Sequence, residues 1–216
     1  MTNSIAILGI HTGVGKTIAS AVIAEAIDAN YWKPVQAGIE ERDTDRVRQL
    51  LTDGNTRVHK ESLMLSQPMS PHAAAAIDGV EIDYKKFQWP KTNKLLLVET
   101  AGGILSPMSA NTTMADFVHY YQLSAILVAQ NYLGSINHTL LSVEVLKNRG
   151  IHLLGIVMNG IANQSSETFI ENYSSVPIVA RIPHFEILDN SSIKQSAKLI
   201  QQSLQNILHP DILNKF

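Results

Sequence analysis

The feature that most constrains the fold is an apolar run that ends in a glycine-rich turn and continues into a helical pattern. The run Ser4–Leu8 (SIAIL) is typical of a strand, and the turn spans Gly9–Thr17 (GIHTGVGKT). In Lys16–Ala29, alanine, isoleucine and valine recur at helical spacing. Glycines allow successive backbone N–H groups to face one phosphate, and the start of a helix adds its positive dipole. The segment therefore predicts a phosphate-binding loop between a strand and a helix.

Two side chains in this turn have the types that bind a nucleoside triphosphate. Lys16 has the position of the lysine that contacts the β and γ phosphates, and Thr17 that of a hydroxyl ligand of Mg²⁺. The spacing is not the usual one, because the first glycine of the common motif falls on Ile10 and Gly9 lies one residue earlier. A chance glycine-rich turn is the alternative interpretation, but the strand, the GKT triplet and the helix occur in the required order.

Further apolar runs extend the pattern along the chain. Runs typical of buried strands are Tyr31–Trp32, Lys94–Glu99, Ser124–Ala129, Leu153–Asn159 and Pro177–Ile182. Helical patterns occur at Asp45–Leu51, Thr113–Tyr121, Asn137–Asn148, Ser165–Tyr173 and Ser191–Ile207. This alternation is typical of a parallel sheet that is covered on both faces. We therefore predict an α/β fold of the P-loop NTPase type, a single three-layer domain over residues 1–216, with 53–93 too irregular to assign.

Composition excludes several classes of function. The chain has 17 Lys and Arg against 19 Asp and Glu, a net charge of −2, so it lacks the excess of cations by which proteins hold nucleic acid phosphates. It has no cysteine, which excludes disulfides, a thiolate nucleophile and Cys-ligated metals. No apolar run reaches the roughly 18 residues of a membrane span, and the N-terminal run is too short for a signal peptide. We predict a cytoplasmic protein that binds neither nucleic acid nor membrane.

Charged residues at strand ends are the candidates for a second part of the site. Glu99 ends the most apolar strand, and ligands of open α/β sheets collect at that edge. Asp43 and Asp45 offer further carboxylates, although a charged segment of this kind is also typical of a solvated helix start. Lys33 follows the short run Tyr31–Trp32, and it would face the same crevice unless it is a surface lysine before Pro34.

Taken together, these motifs resemble the dethiobiotin synthetase family, the ATP-dependent ring-closing ligases of biotin synthesis. The matching segments follow the family's order from Gly9 to Pro183: Gly9–Thr17, Lys33–Gly38, Asp45, Ser70–His72, Val98–Gly103, Leu133–His138, Asn159 and Ile182–Pro183. The resemblance implies that 7,8-diaminononanoate, CO₂ (or bicarbonate) and ATP are converted to dethiobiotin, ADP and phosphate. It also implies that Mg²⁺ is a cofactor and that the protein is a homodimer.

The resemblance further implies roles for individual residues. Lys16 and Lys33 would be catalytic, and Thr17, Asp45 and Glu99 would hold Mg²⁺. Contacts to ATP would come from Gly13, Val14, Gly15, Lys16, Thr17, Ile18, Asp45, Glu99, Thr100, Ala101, Gly102, Asn159, Gly160, Pro183, His184 and Phe185. Contacts to the diamine would come from Lys33, Ala37, Gly134, Ser135 and Asn137, with the turn from Gly134 to Asn137 supplied by the partner subunit.

The chain departs from the family pattern at three positions. Ala37 stands where Ser or Thr is frequent, Thr100 replaces the usual glycine, and His11 stands where Asp is common. One alternative is therefore a nucleotide-binding relative with impaired catalysis. Another is a regulatory ATPase of the partition or septum-positioning kind, but these have a lysine where this chain has His11. Several of them also need a membrane-binding tail, for which residues 207–216 are too short and too weakly basic.

Overall fold

A computed structural model describes residues 3–208 of the chain, so the tail from residue 209 lies outside the described residues. The strands in chain order are β1 (Ser4–Gly9), β2 (Asn30–Trp32), β3 (Val35–Ala37), β4 (Leu63–Leu65), β5 (Leu96–Glu99), β6 (Ser124–Gln130), β7 (Leu153–Asn159) and β8 (Ile178–Ile182). The helices are α1 (Lys16–Ala26), α2 (Asp43–Leu50), α3 (Gly54–Arg57), α4 (Pro71–Asp78), α5 (Met114–Tyr120), α6 (Ser135–Asn148), α7 (Gln164–Ser174) and α8 (Asn190–Ile207). Over residues 3–208, no helix is both long and apolar enough to cross a membrane.

The central sheet has six parallel strands in the order β2-β5-β1-β6-β7-β8, and β3 and β4 pair separately. Because all six strands run in one direction, their carboxyl ends meet at one edge. The chain leaves β1 towards β2 on one side and leaves β6 towards β7 on the other. Neighbouring strands with connections in opposite directions open a crevice at that edge, where ligands of such folds bind. The predicted α/β fold class is thus confirmed.

Helices cover both faces of the sheet, which explains why its strands are apolar throughout. Along β1, Ile5 and Ile7 pack towards α1 and α8, whereas Ala6 and Leu8 pack towards α5 and α6. Successive side chains of a strand point to opposite faces, so a strand buried on both must be apolar at every position. Both layers hold the carboxyl edge of the sheet in place.

The boundaries of two helices differ from the prediction in ways that affect the site. Helix α2 begins at Asp43 rather than Asp45, which places both carboxylates in its first turn, beside the positive end of the helix dipole. Helix α6 begins at Ser135 rather than Asn137, because Gly134 adopts a positive φ of 97° and caps it. The unassigned segment forms α3, β4, α4 and a 3₁₀ turn at Tyr84–Lys86.

Candidate active site

The glycine-rich loop (Gly9–Thr17) joins β1 to α1 at the carboxyl edge of the sheet. Gly13 and Gly15 have φ values of 82° and 89°, a region that favours glycine. A Cβ atom on Gly15 would lie 2.1 Å from Nδ2 of Asn159, so a side chain is sterically excluded there. The same Nδ2 donates a hydrogen bond to the carbonyl of Val14 at 3.0 Å. The end of β7 therefore fixes the shape of this loop.

Lys16 extends along the inside of the loop and is only 6 % exposed. Its ammonium donates to the carbonyl of Gly102 at 2.6 Å and lies 3.5 Å from the carbonyl of His11. Burial lowers the pKa of Lys16 to about 8, although the charge of Glu99 opposes this change. Phosphate oxygens would be stronger acceptors than these carbonyls, because both partners would then be charged. The arrangement suits a polyphosphate in the loop.

Glu99 lies at the end of β5 and is 1 % exposed. Its Oε1 accepts from the Thr17 hydroxyl at 3.0 Å and from the Lys33 ammonium at 3.3 Å. Its Oε2 accepts from the Ser20 hydroxyl at 2.8 Å and from the Tyr31 hydroxyl at 3.0 Å. Burial and the charge of Glu99 raise the pKa of Tyr31 well above its usual value, so this phenol remains a proton donor. Lys33, Ser20 and Tyr31 hold the carboxylate in one orientation, and Thr17 shares its single hydroxyl proton between Glu99 and Asp43.

Asp43 completes what we call the carboxylate cluster: Thr17, Lys33, Asp43 and Glu99. The Thr17 hydroxyl lies 2.6 Å from Oδ1 of Asp43, and Lys33 forms an ion pair with Oδ2. Burial alone would lower the pKa of Lys33, but Glu99 and Asp43 outweigh it and raise that pKa. Burial alone would likewise raise the pKa of Asp43, and Lys33 lowers it below its usual value. Lys33 and Asp43 therefore face each other as a charged pair at neutral pH.

Asp43, and not Asp45, is the carboxylate that the structure brings to the cluster. Asp45 instead accepts from Arg42 Nε at 2.6 Å and from Arg48 Nη1 at 2.5 Å on the outer side of α2. The resemblance assigns Asp45 to the metal, and that assignment stays a prediction beside the observed position of Asp43. Two helical residues separated by one other lie about 200° apart around the axis, so only one of them faces Glu99.

The donors of the carboxylate cluster suit a magnesium ion. Asp43 and Glu99 offer carboxylate oxygens and Thr17 a hydroxyl, which are the ligand types that Mg²⁺ accepts together with phosphate and water oxygens. Over residues 3–208, no group of three or more His, Asp and Glu side chains is arranged to hold a metal. A metal ion bound at these two carboxylates would need further oxygens, such as those of water or a phosphate, to complete its coordination.

The loop after β5 accommodates Thr100 without crowding the site. The backbone N–H and the hydroxyl of Thr100 both donate to the carbonyl of Ile7, at 3.1 and 3.2 Å, and the residue is 3 % exposed. Its side chain is thus turned into the sheet and away from the Gly102 carbonyl that accepts from Lys16. Gly102 has a φ of 68°, and a Cβ there would lie 2.3 Å from the Ser106 hydroxyl. Ala101 packs against the core on the α5 side.

Gln36 links the predicted substrate strand to the carboxylate cluster, and sequence reasoning gave it no role. Its Nε2 donates to the carbonyls of Ala37 and Gly38 at 3.1 and 3.2 Å, and its Oε1 accepts from the backbone N–H of Asp43 at 3.3 Å. Ser20 and Tyr31 are the other site residues that the sequence analysis missed. Gln36 was visible within the motif Lys33–Gly38, whereas no local signal marks Ser20 or Tyr31, because their partner Glu99 is distant in the chain.

The remaining predicted nucleotide contacts follow the ends of β7 and β8. The N–H of Gly160 donates to the carbonyl of Ile182 at 2.8 Å, which draws the two strand ends together. Pro183 and His184 are exposed after β8, while Phe185 packs against the core on the α1 side, as does Ile18. These residues lie at the same edge of the sheet as Asn159, which contacts the glycine-rich loop directly.

Gly134 and Asn137, two of the predicted diamine contacts, line a groove of about 760 Å³ between the β6–α6 and β7–α7 connections. Ser135 is buried, and Gly134 and Asn137 are exposed. The groove has an apolar rim, with Leu133 fully exposed and Ile161 82 % exposed. The structure brings Lys16 and the carboxylate cluster together within one subunit. The groove beside the turn from Gly134 to Asn137 adjoins the glycine-rich loop, because its lining residue Tyr132 packs edge-on against His11 with 5.3 Å between the ring centroids.

The buried carboxylate of Glu167 holds two residues that line this groove, Asn131 and Asn163. Glu167 accepts from Arg181 in a two-bond pair, from Asn131 Nδ2 at 2.6 Å and from the N–H of Asn163 at 2.9 Å. The bonds from Arg181 are the main reason that the pKa of Glu167 is lowered to about 2. Because the folded-state pKa is lowered, this group stabilises the fold above the unfolded-state pKa, and the contribution is lost as the pH falls towards 2.

We therefore expect Glu167→Gln to lower the free energy of unfolding at pH 7 by about 1–3 kcal/mol, since a charged acceptor of several bonds is lost. The difference between the two proteins should shrink as the pH falls from 4.5 towards 2, because acid removes the same charge from the wild type. Urea unfolding at several pH values measures this. Glu144→Gln, an exposed change on α6, is the matched control. A difference that does not vary with pH would contradict the assignment.

The fold and the site together define the class of protein. Residues 3–192 match a family described as an AAA domain. The septum site-determining protein MinD of Pyrococcus horikoshii, solved with Mg-ADP, has the same fold at 16 % identity and a TM-score of 0.55, covering 100 % of this chain and 97 % of that one. The MinC:MinD complex of Aquifex aeolicus gives a TM-score of 0.52 at 14 % identity, covering 99 % and 96 %. These likenesses establish the fold of a P-loop ATPase.

Sequence relatives narrow the class further. The ATP-dependent dethiobiotin synthetase of Christiangramia forsetii is 42 % identical over 208 residues, 96 % of this chain and 100 % of the relative. Those of Cytophaga hutchinsonii and Chlamydia pneumoniae are 44 % and 43 % identical, covering 82 % of this chain in both cases and 86 % and 80 % of the relatives. This chain belongs to the dethiobiotin synthetase family, which confirms the resemblance found in its motifs.

Proposed function

We propose that this chain closes the ureido ring of dethiobiotin at the expense of ATP. One amine of 7,8-diaminononanoate takes up CO₂ as a carbamate, and a carbamate oxygen accepts the γ-phosphoryl group as the bond to ADP breaks. The second amine then attacks the carbamoyl carbon, phosphate leaves and the ring closes. The observation that carries the proposal is that Lys33 pairs with Asp43 and Glu99 at the same edge of the sheet as the Lys16 loop, in a chain 42 % identical to a dethiobiotin synthetase.

The two lysines supply fixed positive charge where the reaction needs it. The carbamate and the transferring phosphoryl group are both anionic, so the transition state is stabilised by charges held in position and needs no covalent nucleophile. Lys16 lies inside the glycine-rich loop and would contact the β and γ phosphates. Lys33 is buried and charged beside Asp43 and Glu99, and it would exchange these carboxylates for the carbamate and the γ-phosphoryl oxygens.

We expect Mg²⁺ to be held by Thr17, Asp43 and Glu99, because oxygen atoms of these types are its preferred ligands. The Thr17 hydroxyl lies within hydrogen-bond distance of both carboxylates, so the three groups are close enough to share one ion. When bound, the ion neutralises charge on the β and γ phosphates. Asn159, Gly160 and the segment from Pro183 to Phe185 would contact the adenine, which is supported by their position at the edge beside the glycine-rich loop.

The far end of the diamine would be held by the turn from Gly134 to Asn137 in a homodimer. The N-terminus of the 14-residue helix α6 has no side-chain cap, and its positive dipole end would attract a carboxylate. The exposed apolar side chains of Leu133 and Ile161 beside this turn support the proposal that a partner subunit packs there. Light scattering at assay concentration tests this, and an active monomer would contradict the shared site. A cytoplasmic location and one ligase domain over residues 1–216 remain predictions.

A product assay tests the function directly. Purified protein is mixed with 7,8-diaminononanoate, bicarbonate, Mg²⁺ and ATP, and dethiobiotin and ADP are followed by mass spectrometry. We expect dethiobiotin that requires every component. ADP without dethiobiotin would favour a regulatory ATPase, and bound ATP without turnover would favour a catalytically impaired relative.

The position of Asp43 gives a matched pair of variants. Asp43→Asn should lower dethiobiotin formation by about 10- to 100-fold and raise the Mg²⁺ concentration needed for half-maximal rate, because it removes charge from the carboxylate cluster. Asp45→Asn, two residues away, should stay within about twofold of the wild type, since exposed ion pairs contribute little. Equal losses of activity in the two variants would contradict this role of Asp43. They would show that activity depends on the charge at the start of α2 and not on the carboxylate cluster.

A further inference from the structure

The two carboxylate oxygens of Glu99 have different hydrogen-bond partners, which indicates that they have different roles. Oε1 faces Thr17 and Lys33, the polar groups of the glycine-rich loop and the carboxylate cluster. Oε2 accepts from two neutral hydroxyls, Ser20 at 2.8 Å and Tyr31 at 3.0 Å, and from no charged group within residues 3–208. Two neutral donors on one oxygen fix the rotation of the carboxylate and leave the other oxygen for a cation.

Tyr31 reaches Glu99 because of the strand register. In the parallel pair β2–β5, Tyr31 is opposite Leu97, two residues before Glu99. Residues two apart in a strand share a face, so the side chains of all three lie on the α1 side of the sheet. A phenol is long enough to span one step along the neighbouring strand, whereas a serine at this position would be too short. Tyr31 is fully buried, and its hydroxyl has no solvent to compete with Glu99.

From this geometry we propose that Tyr31, assisted by Ser20, is a positioning residue: it holds Oε2 of Glu99 so that Oε1 is the oxygen presented to the metal of a bound nucleotide. The inference rests on the proposed function for the role of that metal in phosphoryl transfer. Partners that orient a ligating carboxylate typically change metal affinity or activity by about 10- to 100-fold when they are removed.

The test is the change Tyr31→Phe, which removes one oxygen atom and keeps the ring. Mn²⁺ binding to the ADP complex is measured by electron paramagnetic resonance, with Mn²⁺ as the probe of the magnesium site. We expect about tenfold weaker Mn²⁺ binding or more, and unchanged affinity for ADP in the absence of metal. The rate at saturating Mg²⁺ should recover towards that of the wild type, because the carboxylate itself is retained.

Tyr121→Phe is the matched control. The Tyr121 hydroxyl donates to the carbonyl of Tyr84 at 2.7 Å, on the opposite side of the sheet. Removing this hydroxyl should lower the melting temperature by about as much as Tyr31→Phe does, and it should leave the Mn²⁺ affinity unchanged. Ser20→Ala removes the other donor to Oε2 and is the second test if Tyr31→Phe fails to fold. The double variant Tyr31→Phe/Ser20→Ala should bind Mn²⁺ more weakly than either single variant.

Wild-type Mn²⁺ affinity in Tyr31→Phe and in the double variant would overturn the inference. Equal losses of Mn²⁺ affinity in Tyr31→Phe and Tyr121→Phe would also overturn it, because they would indicate a general effect on stability. Because the readout is metal binding to an ADP complex, it does not depend on the diamine. If the wild type made no dethiobiotin but Tyr31→Phe still weakened Mn²⁺ binding, the proposed reaction would be refuted. The positioning role of Tyr31 would still stand.

Discussion

Lys33→Met is expected to lower dethiobiotin formation by about 100-fold or more and to spare ATP binding. The ammonium of Lys33 is a preorganised charge at the position proposed for the carbamate, and loss of one such group typically costs two to three orders of magnitude in rate. Methionine has a similar length and fills the buried space without the charge. Calorimetric titration with ATP and mass spectrometry of the product measure the two effects separately.

The same variant has a second consequence, because Lys33 lies between Asp43 and Glu99. Without it two carboxylates face each other, one of them 1 % exposed, so the metal-free protein should melt at a lower temperature. Mg²⁺ with ADP should raise the melting temperature more in Lys33→Met than in the wild type. Lys94→Met, which breaks an exposed pair with Asp28, is the control. Ring closure at the wild-type rate would remove Lys33 from the mechanism.

Lys16→Met is expected to weaken ATP binding by about 10- to 100-fold and to lower turnover at least as much. The variant removes a charged donor to phosphate, and hydrogen bonds to charged groups are worth about 1.5–3 kcal/mol. Affinity for AMP should change little, because Lys16 is proposed to contact only the β and γ phosphates. AMP therefore serves as an internal control for folding of the nucleotide site. Unchanged ATP affinity, or an equal loss for AMP, would contradict this role.

Local motifs were predicted well because their chemistry is contained in a few neighbouring residues. The glycine-rich loop needs a strand, a turn and a helix in succession, and each has its own pattern in Ser4–Ala29. The buried strands were predicted to within about two residues, because strands covered on both faces must be apolar at every position. Glu99 was assigned from its place at the end of such a strand.

The contacts of Asp43 show where such reasoning stops. Asp43 and Asp45 are chemically the same, and only the starting point of α2 decides which of them faces Thr17. Helix boundaries are set by contacts such as that of Gln36 with the N–H of Asp43, which no local pattern reveals. The segment 53–93 was unassigned for a related reason: its elements are short and are stabilised by packing more than by their own periodicity.

The sequence by itself determined the fold class, the glycine-rich loop with Lys16 and Thr17, and the strand that ends in Glu99. Each of these features depends on residue types and their order over a short stretch of chain. Hydrophobic burial and backbone geometry then determine the local structure. Only the tertiary structure decided that Asp43 joins the carboxylate cluster and that Ser20 and Tyr31 hold Glu99. These contacts join residues 79 and 68 positions apart, and strand register and helix phase alone bring such residues within hydrogen-bond distance.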